Sequence, residues 1–200
     1  KFTERLDRLD EYLQVMKALW TEEPASFDGK YYQLKDAPMM PKPVQKPYPP
    51  IIIGGMGERT MRVAAKHADD YNQITSMRQA EANIARFKEI CVEEGRDPAG
   101  MRFSVQIPVR LTSNKSEAAD FIANTVETYT RGASHQKSDL YDTIEEHVID
   151  STLCGDVEEI KEQVDRWTSA GINHFILQTP RPFNAPMMER FAKEVMPVFS

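Results

Sequence analysis

Apolar residues recur at three- and four-residue spacing along the start of the chain: Phe2, Leu6, Leu9, Leu13, Met16, Leu19 and Trp20, with charges between them. That spacing predicts an amphipathic helix ending near Thr21, ahead of Pro24. The period then changes. Residues 25–34 set Asp28-Gly29 between aromatic-rich flanks, a hairpin signal. The next stretch carries Pro38, Pro41, Pro43, Pro47, Pro49 and Pro50. Its missing donors and fixed φ angles exclude regular structure and leave an extended connector.

Ile51-Ile52-Ile53 reads as a strand buried on both faces, as in parallel sheets. It runs into Gly54, Gly55 and Gly57, then into a helical pattern over residues 58–68 with Met61, Ala64, Ala65 and Ala68 on one side. Beyond it strands and helices alternate. Residues 70–75 form a strand, and Ser76 caps a helix to about Glu94 with Ala80, Ile84, Phe87 and Cys91 inward. Gly95-Arg96-Asp97-Pro98 stops that helix. Residues 103–111 form a strand in which Pro108 implies a bulge or an end. Asn114 and Glu117 give a capping-box-like start to a helix reaching about Thr130. Residues 132–153 are polar and irregular, with one short helix suggested by Ile144, Val148 and Ile149. Asp156 and Glu159 open a helix with Val157, Ile160, Val164 and Trp167 inward, ended by Gly171. A buried strand follows at residues 174–179, and Asn184 with Pro186 begins a terminal helix bearing Met187, Phe191, Val195 and Phe199. Strand then helix occurs four times in this reading of the chain. The fold class is therefore α/β, with parallel strands in βαβ units.

Composition narrows the function. A length of 200 residues, 40% hydrophobic and 28% charged, suits a soluble protein with a real core. The net charge is −6 with no dense basic cluster, which argues against nucleic acid as a partner. There is no apolar run long enough to cross a membrane. Cys91 and Cys154 are too few and too far apart for a disulfide framework or zinc site, which points to a reducing, cytoplasmic setting. The chain opens on Lys1 already inside a helical pattern. We expect a single partial domain over residues 1–200, one piece of a longer protein.

Several stretches are specific in combination. They are the helix ending Leu19-Trp20, the Phe27-Asp28-Gly29-Lys30-Tyr31-Tyr32 hairpin, the proline-rich connector, and Pro50-Ile51-Ile52-Ile53-Gly54-Gly55-Met56-Gly57-Glu58-Arg59. Ala68-Asp69-Asp70-Tyr71-Asn72 and Gly95-Arg96-Asp97-Pro98 complete the set. In this order they resemble the luciferase-like flavin and deazaflavin oxidoreductases. The resemblance implies the C-terminal half of a TIM (β/α)8 barrel, with Ile51–Ile53 as the fifth strand and the N-terminal strands outside this chain. It implies coenzyme F-420 or FMN, with the phosphate held after that strand at Gly54, Gly55, Met56, Gly57 and Thr60. Elementary chemistry agrees, because a strand, a glycine turn and a helix start gather backbone N–H groups around one point. The bland alternative is an ordinary βα turn whose glycines supply only unusual backbone angles. The Gly57-Glu58-Arg59 form of the turn, followed by Ala68-Asp69 and Asn72, looks more like the deazaflavin branch.

Barrel chemistry sits at the C-terminal ends of strands, which singles out Asn72, Gln73, Thr75, Gln106, Gln178, Thr179 and Arg181. Thr75 and Arg181 are the candidate substrate-binding residues, Arg181 as a bidentate anion partner. Catalytic residues are unknown and are expected upstream of Lys1. The histidines (His67, His135, His147 and His174) do not cluster, and no metal-ligand spacing is present. Glu58 is expected to pair with Arg62, and Asp69 and Asp70 to anchor the loop entering their strand. The implied activity is hydride transfer between F-420 and a small organic substrate, with an FMN-dependent, oxygen-using monooxygenase as the alternative. A homodimer or higher oligomer is expected. A reading from another class is a non-catalytic half-barrel whose open strand edges pack on a partner.

Overall fold

The computed structural model describes residues 4–131, 140–179 and 182–199. Helix α1 (Arg5–Thr21) leads into a hairpin of β1 (Ala25–Asp28) and β2 (Gln33–Ala37), then a connector without helix or strand. The alternation follows as β3 (Ile52–Gly54), α2 (Glu58–His67), β4 (Asp70–Gln73), α3 (Met77–Glu93) and β5 (Arg102–Leu111). It continues through α4 (Lys115–Arg131), α5 (Ile144–Ile149), β6 (Leu153–Gly155), α6 (Val157–Ser169), β7 (His174–Gln178) and α7 (Ala185–Glu194). Parallel strands alternating with helices make this a partial (β/α) barrel. Two compact units are distinguished, Lys1–Tyr71 with Phe87–Met101, and Asn72–Arg86 with Arg102–Ser200.

In the first unit, α1 buries Leu13, Val15 and Ala18, a narrower face than the leucine spacing suggests. Its Glu11 organises the hairpin. The carboxylate accepts from the backbone N–H groups of Lys30 (3.0 Å), Tyr31 (2.7 Å) and Tyr32 (3.2 Å). Burial opposes the charge on Glu11, but these donors outweigh it and hold its carboxyl below the usual range. With three loop donors satisfied from outside, Asp28-Gly29 opens a longer loop closed by Gly29 N–H to Tyr32 O at 2.9 Å. A side chain at Gly29 would meet the Glu11 carboxylate. Ile51 and Ile53 are buried, as expected, whereas Ile52 is 48% exposed. The strand therefore keeps the two-residue alternation of a half-covered sheet. Ile51 N–H donates to Asp69 Oδ2 at 2.8 Å, and Ile51 O accepts from the N–H of Asp69 (2.8 Å) and Asp70 (3.2 Å). The Asp69 carboxylate and the backbone N–H of Asp70 thus belong to the strand junction.

In the second unit, β5 carries two partners in turn. It pairs in parallel with β7 from Ser104↔His174 to Pro108↔Gln178, then with β6 from Val109↔Leu153 to Leu111↔Gly155. Pro108 therefore neither ends the strand nor interrupts its register: it stands where one partner hands over to the next. Strand β6, only three residues long, carries no periodicity that the sequence could reveal. Helix α6 buries Ile160, Val164 and Trp167 and starts at a capping box in which Asp156 accepts from Glu158 and Glu159 N–H. The short helix expected near Ile144 is α5, with its own capping box at Thr143 and Glu146.

Three further expectations change in this unit. Strand β7 is half-buried to exposed along its length and not buried. Its apolar run reads like a central strand, but among the described residues its pairing is with β5 alone. Ser76 is buried, and the leading N–H groups of α3 go to Asp150: Met77 N–H to Asp150 O at 3.1 Å and Arg78 N–H to Asp150 Oδ2 at 3.2 Å. At α4 half of the expected box forms, with Asn114 Oδ1 accepting from Ser116 (3.0 Å) and Glu117 (3.3 Å). The Glu117 carboxylate turns to Thr112 and Arg110.

Candidate functional site

The turn after β3 is built for close approach. Gly55 has φ +135°, a conformation closed to residues with a Cβ. A Cβ there would lie 3.0 Å from Thr60 Cγ2, so the side chain of Thr60 already fills one wall. Gly57 caps α2 in extended conformation and provides no side-chain oxygen to the helix start. Helix starts carry N–H groups directed outward and the positive end of the dipole. Thr60, one turn in, is half-buried, and a Cβ on Gly57 would stand 3.9 Å from its hydroxyl oxygen. Gly54, Met56 and Gly57 are exposed.

The back of the turn is fixed from β4. Tyr71 is fully buried, stacks on Phe87 with ring centroids 4.2 Å apart, and donates its hydroxyl to Gly55 O at 2.8 Å. Burial pushes the Tyr71 hydroxyl up to about 12, so it stays protonated and remains a donor. Charges near the turn are already committed. Arg62 binds Glu58 (2.9 Å), Glu93 (2.7 Å) and Glu94 (2.9 Å), and Arg59 binds Asp7 at 2.9 Å. Glu58 is thereby held along the flank of α2, as expected from the sequence. The turn offers neutral backbone donors and a hydroxyl at an exposed glycine turn, a donor set that fits a phosphate.

The remaining predicted residues lie elsewhere. Thr75 follows β4 in the second unit and is half-buried. Its neighbours have structural partners: Asn72 Nδ2 donates to Ser104 Oγ (2.9 Å), and Gln73 Oε1 accepts from Asn83 (2.9 Å). Arg181 and His135 lie outside the described residues. His67 faces Asp10 at 3.1 Å, where burial pushes its pKa down against the pull of that carboxylate. His147 faces the Tyr129 hydroxyl at 3.1 Å. Among the described residues, no group of three or more His, Cys, Asp or Glu is placed to hold a metal ion. No described helix is long and apolar enough to cross a membrane.

A groove of about 1080 Å³ lies in the second unit at the C-terminal ends of β5 and β7. Gln178 and Thr179, flagged from the sequence, line it together with Pro108, Arg110, Phe121 and Phe183. The sequence did not single out Arg110, Phe121 or Phe183, because which helix covers a strand end is not a local signal. Arg110 is bound to Glu117, which also accepts from Thr112 Oγ1 at 2.6 Å. The Thr112 hydrogen bond foremost, and the Arg110 guanidinium after it, hold the Glu117 carboxyl below its usual range.

Residues 1–174 match the family model described as luciferase-like monooxygenase. The chain belongs to that family. An F420-dependent glucose-6-phosphate dehydrogenase from Intrasporangium calvum is 24% identical over 98% of this chain and 62% of its own length. The FMNH(2)-dependent dimethylsulfone monooxygenase of Pseudomonas putida is 27% identical over 62% of this chain and 33% of its own length. Among solved structures, an F420-dependent secondary alcohol dehydrogenase superposes with TM-score 0.76 at 24% identity, covering 98% of this chain and 62% of that one. Such structural likeness shows the luciferase-like barrel fold. The chain spans about six-tenths of the length of these dehydrogenases, at 62% of each. Relatives of both cofactor types are thus enzymes of the family, F420-dependent dehydrogenases and an FMNH(2)-dependent monooxygenase.

Proposed function

We propose that this chain is the coenzyme-phosphate part of a deazaflavin-dependent oxidoreductase, in which Gly54, Gly55, Met56, Gly57 and Thr60 hold the phosphate of coenzyme F-420. The observation that carries the reading is Gly55 at φ +135°, its Cβ position closed by Thr60, immediately before a helix capped by glycine. When bound, the coenzyme supplies the hydride chemistry; the protein binds, orients and excludes water. Backbone N–H groups and the Thr60 hydroxyl would stabilise the charged phosphate by hydrogen bonds without an ionised partner, and the turn would fix its position against the start of α2. The substrate is a small organic molecule, met by Thr75 and Arg181 and by the groove at the ends of β5 and β7. Phe121 and Phe183 suit an apolar portion of it, and Gln178 and Thr179 suit its hydroxyl or carbonyl. Catalytic residues belong to the part of the barrel outside this chain, and the intact enzyme works as an oligomer in the cytoplasm.

The FMNH(2)-dependent relative supports a second reading, an oxygen-using monooxygenase with FMN in the same turn. Oxygen separates the two. The intact protein, supplied anaerobically with F-420 and a panel of secondary alcohols and aldehydes, should reduce the coenzyme in repeated turnovers. Turnover found only with reduced FMN and oxygen would replace the first reading by the second.

A further inference from the structure

We infer that Tyr71 is a positioning residue for coenzyme phosphate, acting through the Gly55–Met56 peptide; this rests on the phosphate reading of the turn. The Tyr71 hydroxyl donates to Gly55 O at 2.8 Å from a fully buried ring. In a trans peptide the C=O and the following N–H point in opposite directions. A carbonyl held toward a buried hydroxyl therefore turns the Met56 N–H away from the interior, to the side where Met56 itself is 49% exposed. That is the side on which an anion arrives. Glycine at position 55 makes this peptide orientation possible, and also makes it easy to lose, because φ is less restricted there than at any other residue type. The hydroxyl removes that freedom.

The ring is equally constrained. Tyr71 lies 4.2 Å from Phe87 at an interplanar angle of 6°, so the donor cannot swing away without breaking a stacked pair. Asp69 and Asp70 bind Ile51 on the adjoining strand, which fixes the register that brings Tyr71 beneath the turn. Sequence placed Tyr71 in a strand beside two carboxylates and assigned it nothing; its side chain reaches back to the glycine turn.

The test uses the intact protein and two ligand pairs: F-420 against its phosphate-free deazaflavin core, and FMN against riboflavin. Tyr71→Phe should weaken the phosphate-bearing member of the tighter pair about tenfold, the scale of one hydrogen bond to a charged group. Affinity for the phosphate-free member should stay within about twofold, and the melting temperature should move little, since the ring and its stacking are kept. Equal loss for both members would overturn the inference, because a packing role does not sense the phosphate. Unchanged affinity in Tyr71→Phe, with loss in Gly55→Val, would overturn it while leaving the cradle standing. Unchanged affinity in both variants, or a wild type with no preference for the phosphate, would overturn the cradle and the inference together.

Discussion

Gly55→Val in the intact protein should lower affinity for the phosphate-bearing coenzyme by about a hundredfold or more. Valine cannot hold φ +135°, and its Cβ would begin 3.0 Å from Thr60 Cγ2 before its methyl groups are counted. The turn must re-form with a negative φ at residue 55, which rotates the Met56 N–H and displaces Thr60. Two charge-assisted hydrogen bonds, each about 1.5–3 kcal/mol, are then lost or misdirected, which gives a factor of about a hundred or more. Gly57 provides the contrast. It has φ −74°, and a Cβ there would be 3.9 Å from Thr60 Oγ1, so Gly57→Ser should bind as well as wild type or slightly better. Coenzyme fluorescence titration of the two variants checks both halves. Equal affinities for Gly55→Val and wild type would remove the turn from the binding site.

The largest effect on stability is expected at Trp167. It is 2% exposed, one of the buried residues of α6 with Ile160 and Val164, and its backbone O accepts from Ile172 N–H at 3.1 Å at the exit from α6. Trp167→Ala should cost about 3–5 kcal/mol, from lost transfer free energy together with the cavity left behind. That is a large share of the 5–15 kcal/mol typical of a folded domain, so the urea midpoint should fall steeply or the variant fail to accumulate. Trp167→Phe retains a ring and should lose less. A midpoint unchanged in Trp167→Ala would mean that the second unit does not depend on the packing of α6.

Local signals were legible where one element contains its own explanation. The spacing of Ile160, Val164 and Trp167, the Asp156–Glu159 box, the Glu58–Arg62 pair and the glycine turn are all settled within a few residues of sequence. What stayed hidden needs distant partners. Glu11 reaches across from α1 to bind three hairpin donors, and Asp150 takes the leading N–H groups of α3 that Ser76 was expected to serve. Ile52 and β7 failed in the same direction: an unbroken apolar run looks fully buried whether one or both faces are covered. Pro108 failed in the other, since a missing N–H costs nothing where β5 passes from one partner to the next. For the candidate site, the turn was read from its glycines, whereas Tyr71 behind it and the Arg110–Glu117 pair beside the groove came from tertiary placement alone. No run of sequence announces a tyrosine that acts on a carbonyl sixteen residues earlier.

On the function proposed above, residues 54–60 hold the phosphate of a flavin-type coenzyme, F-420 in preference to FMN. The most direct measurement is a spectroscopic titration of the intact wild-type protein with F-420, with FMN, and with the phosphate-free core of each. Saturable binding of F-420, weaker binding of FMN, and a marked loss of affinity when the phosphate is absent are expected. Saturation by neither coenzyme, or equal affinity with and without the phosphate, would contradict that function.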